Sequence, residues 1–375
     1  MKKKNILFIE NSILPSRGGI EKVSDILGKS FSQDGHKCYF AFCCIDNPSI
    51  KDEQKFQMNF NYTLNRFYTL FRSFILVNNI DIIINQGITQ RRVIYSLKKI
   101  KQENSKIKII NCLHNTPYFI HHIEKPKSLK ARIIIAIKSI LARKNIYIKE
   151  QQNLYQICDH YLVLSPKFIS ESKIIFQLKN DSKLQSIPNP LIYNTSNTQY
   201  DKQKIVLIVA RFDENQKNII GALRIWKQVC NTVKDWSLHI IGYGDSESLY
   251  KQYIKEENIP NIIIEGKKDN PQIFYQKASL FMMTSHYEGF SLTLIEALQN
   301  QCIPIVFQTF SSVTDIIING KNGILIPPYQ EDLYAQKMIN LMQDTKQLEE
   351  YRKYSQSYLS QFTIQNIKEE WYKLF

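Results

Sequence analysis

Two glutamates, Glu288 and Glu296, have seven residues between them in the stretch Ala278 to Pro304. Their surroundings are suited to chemistry. Leu280 to Thr284 is a nearly all-apolar run and predicts a short strand buried on both faces. Ser285 to Phe290 follows as a tight segment, in which Gly289 permits a close backbone approach. Ser291 is suited to cap a helical run that extends to about Asn300. A strand, loop and helix in this order aim unpaired backbone N–H groups and the positive end of the helix dipole at the top of a sheet, which makes an anion site. Carboxylates beside such a site do not serve to bind phosphate itself. They are suited to grip the hydroxyls of a sugar or ribose attached to that phosphate. A buried strand and an amphipathic helix can also carry two glutamates with no chemical role, and the pair alone leaves both readings open.

Cations occupy a comparable place earlier in the chain. The predicted strand Ile205 to Val209 runs into Ala210-Arg211-Phe212-Asp213-Glu214-Asn215-Gln216-Lys217-Asn218. Arg211 supplies a planar fork of donors and Lys217 a point charge, the pair a departing diphosphate requires. Their position straight after a strand makes them poor candidates for ordinary surface charges. His114 closes another predicted strand, Ile107 to Leu113. A histidine at the carboxyl end of a parallel strand points into the crevice where α/β proteins bind ligands. His121 and His122 follow without zinc spacing.

These residues together resemble a known family. Glu288-Gly289-Phe290-Ser291-Leu292 with Glu296-Ala297 resembles the E-x7-E motif of retaining glycosyltransferases of the GT-B fold, glycosyl transferases group 1, most closely family 4. Arg211 and Lys217 resemble that family's diphosphate clamp. Gly18-Gly19 resembles its N-terminal glycine loop, which lies under the donor phosphates, and Ser186-Ile187-Pro188-Asn189-Pro190 resembles its I-P-N-P signature. Gly242-Tyr243-Gly244 resembles the turn that bounds the nucleoside pocket, and Glu265-Gly266-Lys267 the segment that meets the base. Gly320 to Leu325 resembles a late N-G-hydrophobic turn. The pattern is broken at Gln301, where the family usually has glycine.

The resemblance implies an α/β fold of two doubly wound Rossmann-like domains facing a cleft, with the C-terminal helix crossing back to the N-terminal domain. The expected extents are 1–192 with 360–375 for an acceptor-binding domain and 200–359 for a nucleotide-sugar-binding domain. It also implies transfer of a hexosyl group, with retention, from a UDP- or GDP-linked sugar to a hydroxyl of a glycan or lipid-linked acceptor. Bacterial capsule, lipopolysaccharide O-antigen or exopolysaccharide is the implied setting. By the same analogy Glu288 holds sugar hydroxyls, Glu296 holds the ribose, and His114 positions donor sugar or acceptor. The N–H groups of Phe290, Ser291 and Leu292 meet the leaving diphosphate, and Gly289 lies with them in the donor-binding loop. No residue is a convincing covalent nucleophile and there is no D-x-D, so neither a cofactor nor a metal is expected. The alternatives are a GT-B nucleotide-sugar epimerase and a non-catalytic binding or scaffold protein.

The elements that must position these groups are legible as two restarts of one pattern. Asn5 to Ile9, a glycine-containing loop, a helix from Glu21 to Gln33 and Cys38 to Cys43 predict the start of a doubly wound domain. The dinucleotide fingerprint G-x-G-x-x-G is absent there, which counts against a nicotinamide enzyme. A polar stretch from Tyr193 to Lys204 reads as a linker, and the pattern then restarts. The chain has 375 residues, enough for two cores. Its formal charge of +15 points either to a polyanionic partner or to a lysine-rich composition bias. No aromatic-basic recognition motif supports nucleic acid. The segment 125–149 carries eight Lys or Arg and no acid, and predicts either an interfacial helix on an anionic membrane or a packed helix with a basic face. Seven scattered cysteines without a C-x-x-C pair predict reduced thiols, and the short apolar run after Met1 is no signal peptide, so a cytoplasmic or peripheral membrane location is expected.

Overall fold

A computed structural model of the chain describes residues 2–43, 51–122, 130–193 and 200–375, without the side chains of 52, 120–122 and 130–141. The chain divides into two compact units, Met1–Pro190 with Ile364–Phe375 and Leu191–Thr363. Of the basic segment 125–149, residues 125–129 and the side chains of 130–141 lie outside the described residues, and the backbone from 130 onward is part of the helix Lys130–Ile157.

The first unit is built on β1 (Asn5–Ile9), β2 (Lys37–Phe42), β3 (Lys55–Gln57), β4 (Ile82–Asn85), β5 (Lys108–Leu113), β6 (His160–Val163) and β7 (Leu184–Ser186), all parallel, in the order β3-β2-β1-β4-β5-β6-β7. Ile6, Leu7, Phe8 and Ile9 are fully buried, as continuous apolar strands covered on both faces must be. Phe8 stacks on Phe40 with ring centroids 5.4 Å apart, fastening β1 to β2. Phe31, on the helix Gly19–Gln33, receives Trp371, Tyr372 and Phe375 at centroid distances of 6.2, 5.7 and 5.2 Å. The C-terminal helix Ile364–Tyr372 thus belongs to the first unit, and Lys368 Nζ reaches Asp34 at 2.7 Å. The return begins at Ile364 rather than at 360. The 3-10 turn Leu359–Phe362 is tied to the second unit, where the Leu191 N–H donates to Phe362 O at 2.8 Å and Phe362 packs on Phe290.

The second unit repeats the design with β8 (Gln203–Val209), β9 (Ser237–Ile241), β10 (Ile262–Gly266), β11 (Ala278–Met283), β12 (Ile303–Phe307) and β13 (Ile324–Ile326), parallel and ordered β10-β9-β8-β11-β12-β13. Strand order reverses between β8 and β11, so the loops after these two strands flank the switch point where open α/β sheets bind ligands. The helix Ile219–Thr232 covers the sheet with Leu223, Ile225, Trp226 and Val229, all fully buried. Trp226 satisfies its indole N–H on Pro260 O at 3.1 Å.

Gln301 adopts a φ of +57°, which explains why glycine suits this position after the helix Leu292–Gln299. Cys38, Cys112, Cys158, Cys230 and Cys302 are buried free thiols. Among the described residues no helix is long and apolar enough to cross a membrane, and no group of three or more His, Cys, Asp and Glu could hold a metal ion.

Candidate active site

Arg211 and Lys217 sit in the loop and single-turn helix, Glu214–Lys217, that follow β8. The turn Gly242-Tyr243-Gly244 after β9 fixes this loop from one side. The Phe212 N–H donates to Tyr243 O at 2.8 Å, and the Ser246 N–H donates to Phe212 O at 3.1 Å. Gly242 and Gly244 have φ of +155° and +152°. A Cβ on Gly244 would stand 2.6 Å from Phe212 O, so backbone packs on backbone here and only glycine fits. The G-x-G turn therefore shapes the cation loop. Gly266 accepts from the Gly242 N–H at 3.0 Å, extending the same framework to β10. Lys267 lies over the exposed ring of Tyr243, 5.1 Å from its centroid.

The loop is fixed from the other side by β11. Asn218 takes a left-handed φ of +49° and donates from Nδ2 to Thr284 O at 3.1 Å, while Thr284 Oγ1 donates to Asn218 O at 2.9 Å. Gln216, only 8% exposed, accepts from Arg211 Nη2 at 3.0 Å and donates to Tyr287 O at 3.3 Å. The His286 N–H donates to Gln216 O at 2.8 Å. Gln216 thus orients the guanidinium and binds the Ser285–Phe290 loop with one side chain. Sequence reasoning passed over it, because its role depends on a loop seventy residues away. The only local signal was a polar residue lying between Arg211 and Lys217.

Lys217 Nζ and Glu288 Oε1 form an ion pair at 2.6 Å, with the side chains 16% and 10% exposed. The proposed phosphate cation and the proposed sugar carboxylate are therefore direct neighbours. An ammonium group has three donors, so one bond to Glu288 leaves two for another anion. Arg211 is exposed and has one guanidinium donor committed to Gln216. Glu214 accepts from the Ile219 and Ile220 N–H groups at 2.9 and 3.2 Å. The start of the helix Ile219–Thr232 is filled by the protein's own carboxylate, so it is not an anion site.

The start of the helix Leu292–Gln299 differs. No acceptor among the described residues pairs with the backbone N–H groups of Phe290 and Leu292. Ser291 occupies the N-cap position, but its hydroxyl makes no capping bond and instead lies 3.1 Å from Thr293 Oγ1. Gly289 is buried and its carbonyl accepts from Ser312. Glu296 is not drawn into the Lys217–Glu288 pair. It is 3% exposed, and its Oε2 accepts from Tyr275 Oη at 2.9 Å.

The remaining candidates belong to the first unit. Gly18 is the N-cap of the helix Gly19–Gln33, with extended backbone that any residue can adopt, and Gly19 is its first residue. His114 follows β5 and is partly buried, with Nε2 2.6 Å from Gln86 Oε1. Burial lowers its pKa to about 4, so the imidazole is neutral at neutral pH. His114 and Asn189 line one small cavity together with Gln86 and Trp371.

The model of the family described as glycosyl transferases group 1 matches residues 193–358. The chain resembles many solved structures, among them the pneumococcal O-GlcNAc transferase GtfA in complex with UDP and GlcNAc, with a TM-score of 0.77, 15% identity and coverage of 100% of this chain and 98% of that one. The fold is GT-B. A curated relative, the poly(glycerol-phosphate) alpha-glucosyltransferase of Bacillus subtilis, is 29% identical over 50% of this chain, a match that spans 28% of that protein's length. An alpha-1,4-N-acetyl-D-galactosaminyltransferase of Campylobacter jejuni, acting on an undecaprenol-linked saccharide by its name, is 23% identical over 78% of this chain and 81% of its own. Within this GT-B chain, Arg211, Lys217, Glu288 and the start of the helix Leu292–Gln299 all fall in the matched region.

Proposed function

We propose that the chain is a retaining glycosyltransferase that moves a sugar from a nucleotide diphosphate sugar to a hydroxyl acceptor, in the synthesis of a bacterial surface polysaccharide. The observation that carries this reading is Arg211 and Lys217 on one loop, with Lys217 bonded to Glu288 at 2.6 Å at the foot of a helix whose first N–H groups lack acceptors. The family match, and relatives named as bacterial glycosyltransferases, support it further.

The barrier to such a transfer is separation of an anionic leaving group from an oxocarbenium-like centre, and preorganised positive charge lowers it. Arg211, Lys217 and the Phe290 and Leu292 N–H groups receive the diphosphate. Glu288 holds hydroxyls of the sugar, next to the ammonium that holds the phosphate. Glu296 is assigned the ribose, the Gly244 and Gly266 turns the nucleoside, and Gly18, Gly19, His114 and Asn189 the acceptor side and the donor sugar. The bond from the anomeric carbon to the diphosphate breaks, and the acceptor oxygen bonds to that carbon on the same face. The acceptor's proton passes to an oxygen of the departing nucleoside diphosphate. No protein nucleophile and no bound metal enters this scheme. The acceptor is a glycan, free or lipid-linked, and the donor carries UDP or GDP.

The test is nucleoside diphosphate release by the purified chain across a panel of donors, with and without acceptor glycans. Acceptor-dependent release and a product keeping the donor's anomeric configuration are expected. Donor isomerisation without acceptor would instead indicate an epimerase. Arg211→Ala should lower turnover by about 100-fold or more, in the range found when an oxyanion donor is removed. Full turnover in that variant would remove the clamp.

A further inference from the structure

A chain of buried polar groups runs behind His114 at the carboxyl edge of the first sheet, and the proposed transfer leaves it unused. Glu10 directly follows β1 and is 1% exposed; Ser24, on the helix Gly19–Gln33, is 0% exposed; and Gln86, directly after β4, is 2% exposed. Gln86 Nε2 donates to Ser24 Oγ at 3.0 Å, and Gln86 Oε1 lies 2.6 Å from His114 Nε2. Glu10 Oε2 is buried with no partner.

Ser24 Oγ accepts from the Gln86 amide, so Gln86 is held with its amide nitrogen toward Ser24 and its carbonyl toward the histidine. A carbonyl oxygen can only accept, so His114 must donate from Nε2. The backbone reinforces the arrangement: the Gln86 N–H donates to Ile9 O at 2.8 Å, and Asn85 Nδ2 braces the turn on Ile88 O at 3.1 Å.

We propose that Ser24 and Gln86 are positioning residues that hold His114 as its Nε2–H tautomer and so leave Nδ1 as the nitrogen that accepts a hydrogen bond from a substrate hydroxyl. That use of Nδ1 rests on the transferase reading, whereas the tautomer itself does not. A substrate hydroxyl next to a neutral, pre-oriented imidazole meets an acceptor without a change of protonation, which is the advantage of fixing the ring through buried neighbours.

The experiment is long-range proton–nitrogen correlation on the full chain labelled with nitrogen-15 in histidine, without substrate. The His114 signals are identified by their loss in His114→Gln. The wild-type protein should show a single Nε2–H form whose ring proton is protected from solvent. Ser24→Ala frees the Gln86 amide to turn over, and both tautomers should then appear. Gln86→Met removes the acceptor and should abolish the protection, and it carries the comparison should Ser24→Ala not fold. An Nδ1–H form in the wild type, or an unchanged single protected form in both variants, would overturn the proposal. Neither result bears on whether sugar transfer occurs, so the two readings fail separately.

Discussion

Lys217 and Glu288 solve a problem for each other. Each is a charge with little exposure, and the 2.6 Å contact neutralises both. Removing one partner of such a pair leaves an uncompensated charge, whereas replacing both by neutral groups does not. Lys217→Ala should cost about 3 kcal/mol of stability. The double variant Lys217→Met with Glu288→Gln should recover most of that loss and remain inactive in transfer. Denaturant unfolding and turnover, measured on the same samples, check this; equal stability of the single variant and the wild type would show that the pair is not held as described. His114 gives a pH signature at the same scale. Its folded value of about 4 lies below the ordinary 6.5, so across that window the unfolded chain binds more protons than the folded one. Stability should rise with pH from 4 to 6.5 and be lost on acidification through the same range. His114→Gln should flatten that part of the curve in thermal unfolding, and an unchanged curve would contradict the burial of a neutral imidazole. The loops that carry Arg211, Lys217 and Glu288 were legible in the sequence because each follows an apolar run. Gln216 and Ser24 were not, because their meaning lies in partners that only folding brings near.

The loops that carry this chemistry are held by backbone more than by side chains. The turn Gly242 to Gly244 lies against Ala210 and Phe212 so closely that a single methyl group displaces one or the other. Gly244→Ala combines that clash with a φ of +152°, and it should cost more than about 1 kcal/mol. Because the displaced segment carries Arg211, nucleotide binding should weaken together with stability. Thermal unfolding with and without a nucleoside diphosphate reads both, and a stable variant with full binding would show that the turn does not set the loop. Strand existence was largely legible at this scale, since β1, β5, β8, β11 and β12 are strands of five or more residues made mostly of apolar ones. The three-residue strands β3, β7 and β13 were not, as three residues carry no period. The helix Gly19–Gln33 begins two residues before the expected Glu21, because the chain enters it at the two glycines themselves. The predicted cap at Ser291 was right in position and wrong in mechanism, since the hydroxyl turns to Thr293.

Two parallel sheets, each with a switch in strand order, give the chain two places where ligands can be received, and the proposed donor chemistry is concentrated in the second unit. That doubling was legible in the repeated strand–loop–helix pattern on either side of a polar linker. The net charge of +15 was ambiguous in the sequence and stays a property of the whole surface, attracting any polyanion without selecting one. It also complicates a simple binding experiment, because a basic chain retains nucleotides at low salt for reasons unrelated to a site. Specific binding must survive screening at ionic strengths near 0.15 M, where the Debye length is about 8 Å. The central claim is that Arg211 and Lys217 hold the diphosphate of a nucleotide sugar. Calorimetric titration of the full chain with UDP and GDP at that salt, in wild type and Arg211→Ala, tests it most directly. Hydrogen bonds to charged groups contribute about 1.5–3 kcal/mol, so the account predicts saturable binding of at least one nucleotide and a loss of about 10- to 100-fold in the variant. Equal affinity in the two proteins, or no saturable binding by the wild type, would contradict it.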